Sequence, residues 1–132
     1  MVSGALLLVT AACALSATQS DVTAAAAGLT SADPVVRTKA ACSLRELGRQ
    51  AAPALPQLAA MLDDGSPIEG AVCGERTWRF RGGDERTTPG EQAASAMVAI
   101  GSPAYPPFAK ALKDADSGVR RQAAWALGAI GG

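Results

Sequence analysis

The sequence predicts an all-α fold, an α-solenoid in which about three helix-pair repeats stack into a superhelix. Two observations indicate this fold: one pattern recurs in register, and its apolar positions have helical spacing. The pattern occupies residues 36–48, 89–101 and 119–131, and each copy contains an Ala-Ala pair and ends with glycine. A chain that repeats in this way is a stack of similar units, which indicates a surface for binding rather than a pocket for chemistry.

A second segment precedes the recurring pattern and completes each unit. Residues 54–64 match residues 104–114, with prolines at the equivalent positions 56 and 106, and a fainter echo lies at 21–29. Each unit is therefore predicted to be an A helix followed by a B helix. The resulting division is an apolar leader at 1–20 and a repeat domain at 21–132, with units at about 21–48, 51–101 and 102–132.

Start and stop signals agree with the predicted B helices. Asp33 before Pro34, and Thr88 before Pro89, place a capping side chain ahead of a proline in the first turn. Thr88 and Glu91 have the spacing of a capping box. The predicted ends are the glycines Gly48, Gly101 and Gly131.

The recurring residues resemble a known family. Asp33, Val36, Arg37, Ala40, Ala41, Leu44 and Gly48 carry the pattern, and Asp116, Val119, Arg120, Ala123, Ala124, Leu127 and Gly131 carry it again. The pattern is similar to the short HEAT repeats of bacteria, a subfamily often labelled phycobilisome-lyase-like. The resemblance implies hydrogen-bonded ladders between successive units that involve Asp33 with Arg37 and Asp116 with Arg120. The middle copy has Glu91 and Gly90 near the places where Val and Arg would fall, so we expect the ladder to be broken at its centre.

The resemblance implies a binding function. Some members of the subfamily attach bilin chromophores to light-harvesting proteins, but many more are scaffolds. We therefore expect a non-catalytic scaffold for a protein or peptide partner; the alternative is a lyase-like chaperone or accessory subunit that assists tetrapyrrole attachment. The chain has no histidine and a single tyrosine, Tyr105, which disfavours general acid–base catalysis. No enzymatic activity, cofactor or metal site is predicted.

In stacks of this family the B helices usually line the concave side. The predicted buried stripe of the first B helix is Val36, Ala40, Leu44 and Leu47. Side chains that point away from the stripe would form columns on the concave side: Thr38, Cys42 and Arg45, then Glu91, Ser95 and Val98, then Arg121, Trp125 and Gly128. Arg121 and Trp125 are candidate partner-binding residues, and Trp125 either anchors a ligand or packs against another unit.

An insertion at about 70–87 separates the A and B segments of the middle unit. Within it Trp78 and Phe80 alternate with Arg79 and Arg81, and a Gly-Gly pair follows, which predicts a loop or β-hairpin. An aromatic pair flanked by arginines is typical of binding hot spots, so these residues are also candidates for partner binding. The alternative is that the aromatic pair folds over the adjoining helices while the arginines solvate the loop.

The first residues differ from the rest. Residues 5–15 are apolar and uncharged, and small polar residues follow, which resembles a secretory signal peptide too short to span a membrane. No Lys or Arg precedes the apolar run, so the segment is either a leader or a degenerate first helix. A lipoprotein interpretation would make Cys13 the lipid anchor. The leader predicts an extracytoplasmic protein, periplasmic or secreted.

Two cysteines of the repeat domain, Cys42 and Cys73, allow two interpretations. In an exported protein Cys42 and Cys73 could form a disulfide; the alternative is two small buried cysteines, since a chain without histidine or a CxxC pair is a poor zinc site.

The 12 basic and 12 acidic residues balance, so nucleic acid is not an expected partner. The last unit has no polar capping helix. Either the chain is part of a longer array, or this end pairs with another copy or a partner.

Overall fold

The computed structural model describes residues 18–68, 72–73 and 87–131, and over these residues the fold is all-α, as predicted. Helix α1 covers 18–28, so it crosses the expected boundary between leader and repeat domain at residue 20. The other helices are α2 (Pro34–Leu47), α3 (Leu55–Ala60), α4 (Pro89–Ile100), α5 (Tyr105–Ala111) and α6 (Ser117–Gly131). Short 3-10 helices, Gly48–Ala54 and Ser102–Ala104, lead into α3 and α5.

Two of the sequence predictions fall outside the described residues. They are the apolar run of the leader with Cys13, and the tip of the insertion with Trp78, Arg79, Phe80 and Arg81. Both stay predictions. Among the helices of the described ranges, none combines the length and the apolar character that crossing a membrane requires.

The B helices form the centre of the stack. Helix α4 lies between α2 and α6 and packs against both, while α3 packs against α4 and α5 against α6. Alanines make these contacts close: Ala41, Ala94 and Ala123 have no exposed surface. Larger side chains fill the space between A and B helices, including the fully buried Leu44, Leu58, Met97 and Phe108. The core is therefore continuous from one unit to the next.

The predicted helix starts are confirmed at atomic detail. The carboxylate of Asp33 accepts a hydrogen bond of 2.9 Å from the backbone N–H of Val35, and Pro34 opens α2. The hydroxyl of Thr88 accepts one of 3.1 Å from the N–H of Glu91. At the ends of α2 and α4, Gly48 and Gly101 have φ angles of +58° and +95°, which only glycine adopts without strain.

The buried side of α2 differs from the predicted stripe. Val36 is 41% exposed and Leu47 only half-buried, whereas Thr38, Ala41 and Cys42 are buried together with Ala40 and Leu44. The reason is that α2 is covered from a second direction, by α4 and by the described part of the insertion. In α4 the prediction is confirmed, because Ala93, Met97 and Ile100 are at most 1% exposed.

Gly90 marks the closest approach between an A segment and a B helix. A Cβ atom at this position would lie 2.6 Å from the carbonyl oxygen of Leu62 and 3.0 Å from that of Asp64. The N–H of Gly90 donates to the Asp64 carbonyl at 3.0 Å. Since both neighbours are backbone atoms, no side-chain rotation would relieve the clash, and the start of α4 is fixed against the end of the A segment.

We expect Gly90→Ala to lower the free energy of unfolding by about 1–3 kcal/mol, because the added methyl group forces the backbone apart. Equilibrium unfolding in urea measures the change. The matched control is Gly128→Ala in α6, where an added Cβ would meet no atom within 4 Å. There we expect a gain of about 0.5–1 kcal/mol from helix propensity. Equal effects at the two positions would contradict the close approach.

Candidate binding face

The columns expected on the B helices are only partly open in the structure. We call the nine side chains of these columns the B face; Thr38, Cys42 and Arg45 come from α2, Glu91, Ser95 and Val98 from α4, and Arg121, Trp125 and Gly128 from α6. Thr38 and Cys42 are buried, at 0% and 8% exposure, so the expectation that they face outward is wrong. The part of the B face that belongs to α4 and α6 is at least partly exposed.

The insertion explains why the first column is covered. Ile68 and Thr87, at its two ends, form an antiparallel β-bridge in which the N–H of Ile68 donates to the carbonyl of Thr87 at 3.2 Å. Between them Cys73 is joined to Cys42 by a disulfide, with a Cα–Cα distance of 6.1 Å. The sulfur of Cys73 also lies 3.9 Å from the carbonyl oxygen of Thr38. The insertion is thus attached to the face of α2 that would otherwise be open.

We expect the disulfide to stabilise the fold by about 3–4 kcal/mol, because it closes a loop between cysteines 31 positions apart in the unfolded chain. Cys73→Ser should lower the free energy of unfolding by this amount in non-reducing urea titrations. Reduction of the unmodified protein should reproduce the loss, and the variant should not respond to reductant. A variant as stable as the oxidised protein would contradict this role.

A buried glutamine connects α2, α4 and the insertion. Gln92 is 1% exposed, and its Oε1 accepts a hydrogen bond of 3.2 Å from Nη1 of Arg45. Its Nε2 donates at 3.1 Å to the hydroxyl of Thr87, which in turn donates at 3.1 Å to the carboxylate of Glu91. Buried amides are stable only when both ends are hydrogen-bonded, and Gln92 meets this condition.

An open cleft occupies the next groove, between α4 and α6. It has a volume of about 360 Å³ and extends from the end of the A segment, at Asp63 and Asp64, to Glu91, Asp116, Arg121 and Gln122. Four carboxylates and one guanidinium line it, so its surface is predominantly acidic. Two members of the B face, Glu91 and Arg121, therefore contribute to a concave surface, whereas the corresponding surface of α2 is closed.

The candidate residues of α6 lie beside this cleft. Arg121 is exposed, and Trp125 is half-buried and packs against the core, with Ala126 buried next to it. The indole thus has a fixed side and a side that contacts solvent. This arrangement combines the two alternatives for Trp125, since a packed aromatic ring can still offer a rigid surface to a partner. The structure brings Arg121 and Trp125 to one helix face, whereas Trp78 and Phe80 lie outside the described residues.

A second groove lies between the A helices α3 and α5, and it shares Leu62, Asp63 and Val119 with the first cleft. Its volume is about 750 Å³, and prolines and alanines line much of it, with Lys110 and Lys113 at its border. Pro56 and Pro107 contribute its walls. Arg121 and Trp125, the candidate binding residues within the described ranges, do not line this groove.

Arg37 makes the link between units, although not with the expected partner. Its Nε donates to Oδ2 of Asp64 in the second unit at 2.8 Å, and the side chains of this ion pair are 17% and 18% exposed. Nη1 donates to the carbonyls of Ser31 and Ala32 at 2.8 and 3.1 Å. Asp33 instead caps α2, so its carboxylate is not available to Arg37.

The third unit repeats the contacts that Asp33 and Arg37 make within their own unit. Asp116 accepts hydrogen bonds from the N–H groups of Gly118 and Val119 at 2.7 and 3.2 Å, as a cap of α6. Nη1 of Arg120 donates to the carbonyls of Asp114 and Ala115 at 2.7 and 2.9 Å. The Asp and Arg of the motif therefore fix the turn between the A and B helices, and the step to the next unit is made by Arg37 with Asp64.

The environment of Asp64 changes its acidity. Partial burial alone would raise the pKa of this carboxyl, but hydrogen bonds from Arg37 and Ser66, together with the charge of Arg37, lower its pKa below the ordinary value of 3.8. The charged form is therefore favoured in the folded state. Because the folded pKa lies below the unfolded one, the ion pair stabilises the fold above about pH 4 and loses this contribution as the pH falls through the folded pKa.

We expect Asp64→Asn to lower the free energy of unfolding by about 1–2 kcal/mol near neutral pH, since it removes a charge-assisted hydrogen bond that is mostly shielded from water. The difference in stability between the variant and the unmodified protein should shrink as the pH falls below about 4. The carboxyl of Asp64 is then increasingly protonated and becomes neutral, as the amide of asparagine is. Thermal unfolding between pH 2 and pH 7 measures it. Asp63→Asn, at the adjacent exposed position, is the control and should change little. A pH-independent loss at Asp64 would contradict the charge argument.

The sequence analysis missed Gln92 and Gln122 as functional candidates. They occupy equivalent positions, each directly before the Ala-Ala pair of its copy. Superposing the copies would have shown that a polar residue recurs there at the border of the buried stripe. The sequence alone did not show that one glutamine is hydrogen-bonded from the preceding unit, because that contact depends on the spacing of the stacked helices.

Comparison with known proteins agrees with this geometry. Residues 104–131, which include α5 and α6, match the family model of the HEAT repeat. This part of the chain is a HEAT repeat. The match is to the HEAT repeat in general and does not distinguish the phycobilisome-lyase-like subfamily. No curated protein and no solved structure matched the chain.

Proposed function

We propose that this protein is a non-catalytic HEAT-repeat scaffold that binds a protein or peptide through the B face of its second and third units. The observation that carries the proposal is the open cleft between α4 and α6, which lies beside the exposed Arg121 and the half-buried Trp125. The equivalent surface of α2 is closed by the insertion, so the binding surface is asymmetric along the stack.

The character of the surface supports a polypeptide partner. A cleft of about 360 Å³ is large enough for one or two side chains, and the surface around it continues along two helices. A rigid tryptophan and an arginine next to such a cleft are the residue types that most often dominate binding energy in protein interfaces. The predicted flap with Trp78, Arg79, Phe80 and Arg81 would add a second contact, because the insertion is attached next to α2 and α4.

We also propose that the protein functions outside the cytoplasm, in the periplasm or as a secreted protein. The disulfide between Cys42 and Cys73 supports this location, since disulfides persist in oxidising compartments and are rare in the cytosol. The apolar leader agrees with it.

The binding surface can be tested by photo-cross-linking in the native cell. A photoreactive amino acid placed at Arg121 or Trp125 should give a cross-linked adduct with a partner protein, because both positions lie in or beside the proposed interface. Denaturing gel electrophoresis and mass spectrometry would detect the adduct. The matched control is the same amino acid at Gln57, an exposed position of α3 on the A-helix side.

Adducts from Gln57 without adducts from Arg121 or Trp125 would place the partner at α3 rather than at the B face and contradict the proposal. An adduct that disappears in Trp125→Ala, probed from Arg121, would identify the indole as part of the interface. We expect that truncation to weaken binding by at least about tenfold, the effect of a residue that contributes 1.4 kcal/mol or more.

A further inference from the structure

The two grooves of the B face can be compared position by position, because the units repeat. Gln92 of α4 and Gln122 of α6 are equivalent, and the position that Arg45 occupies in the B helix before Gln92 is occupied by Val98 in the B helix before Gln122. In the first groove, Nη1 of Arg45 donates to Oε1 of Gln92 at 3.2 Å. In the second groove, valine has no group that could donate this hydrogen bond.

The consequence is visible at Gln122. Its Oε1 is buried and has no hydrogen-bond partner within the part of the chain that the structure describes. A buried carbonyl oxygen without a donor is uncommon and costs folding free energy. Arg121, the next residue, is exposed and does not supply the missing hydrogen bond. The position that an internal arginine occupies in the first groove is therefore vacant in the second.

The charges around Gln122 favour a cation at this position. Asp64 accepts hydrogen bonds from Arg37 and Ser66, and Asp116 accepts them as the cap of α6. Asp63 is exposed, and Glu91 is half-buried and accepts a hydrogen bond from Thr87. No three His, Cys, Asp or Glu side chains of the described ranges are grouped as metal ligands. These carboxylates line the same cleft as Gln122, whose counterpart one unit earlier is bonded to a guanidinium.

We propose that the cleft between α4 and α6 binds a cationic side chain, arginine or lysine, of the partner polypeptide. The bound cation donates to Oε1 of Gln122 as Arg45 donates to Gln92, and Glu91 and Asp63 add electrostatic attraction. This inference rests on the proposed function and specifies the chemistry of the partner. The chain itself supplies the template, because the first groove shows the filled form of the same position.

Binding of a defined peptide tests the cation preference. The probes are fluorescein-labelled Gly-Ser-Ala-Arg-Ala-Ser-Gly and the same peptide with citrulline, the neutral isostere of arginine, in place of the arginine. Fluorescence anisotropy with the full chain should show binding of the arginine peptide at least about tenfold tighter, the usual effect of a charge-assisted hydrogen bond. The preference should weaken as the salt concentration rises.

Two variants connect this preference to the vacant position. Val98→Arg rebuilds the internal arginine of the first groove; we expect it to raise the midpoint of thermal unfolding by about 2–5 °C and to weaken binding of the arginine peptide at least about tenfold. Ala99→Arg, at the neighbouring exposed position of α4 outside the B face, is the control for the added charge and should do neither. Gln122→Leu removes the acceptor oxygen and should reduce the preference for arginine over citrulline.

The outcomes separate the two proposals. Equal affinities for the two peptides, or no binding of either, would overturn the cation inference, as would a Val98→Arg variant that leaves both stability and binding unchanged. Cross-linking from Arg121 would in these cases still support the B face as the binding surface. Loss of that cross-link together with a retained arginine preference would instead overturn the proposed function, while the cationic position in the cleft would remain.

Discussion

Close packing of the alanine-rich B helices is the constraint on which the structure depends. Ala41, Ala94 and Ala123 have no exposed surface, so α2, α4 and α6 lie side by side without large side chains between them. Packing at this distance lets a side chain of one B helix hydrogen-bond to the next, as Arg45 does to Gln92. It also determines the width of the groove between neighbouring B helices, and hence what can enter it. Larger residues at the Ala-Ala pairs would separate the helices and change the core and the binding face together.

The functional asymmetry of the stack follows from one insertion. Units that begin with similar sequences would present similar grooves, but the bridge between Ile68 and Thr87 and the disulfide of Cys73 cover the first groove and leave the second open. The equivalent glutamines of the two grooves also differ in their hydrogen bonds. Gln92 is hydrogen-bonded at both ends of its amide, whereas the carbonyl of Gln122 has no partner within the described ranges. A repeated scaffold has in this way acquired one structural groove and one groove suited to recognition.

Much of the fold was predictable because helix signals are local. The caps at Asp33 and Thr88 and the buried positions of α4 follow from residues a few positions apart, and the structure agrees with them. The errors concern contacts that are distant in sequence. Val36 was expected to be buried and is exposed, and Thr38 was expected to be exposed and is buried. Thr38 lies on a face that periodicity alone assigns to solvent but that the insertion covers. The partner of Arg37 was likewise not predictable, since Asp64 becomes its neighbour only when the second unit stacks on the first. The candidate cleft depends on both effects, and of its lining residues only Glu91 and Arg121 were expected on the open face of the B helices.

The contact at Gly90 has a consequence for how this protein can diverge. Gly90 stands where the first and third units have the arginine of the family motif, and the carbonyls of Leu62 and Asp64 exclude any side chain there. The missing arginine is therefore a steric requirement of the middle unit rather than random drift. A homologue that retains this junction should retain glycine, and a homologue that has arginine here must have a different junction.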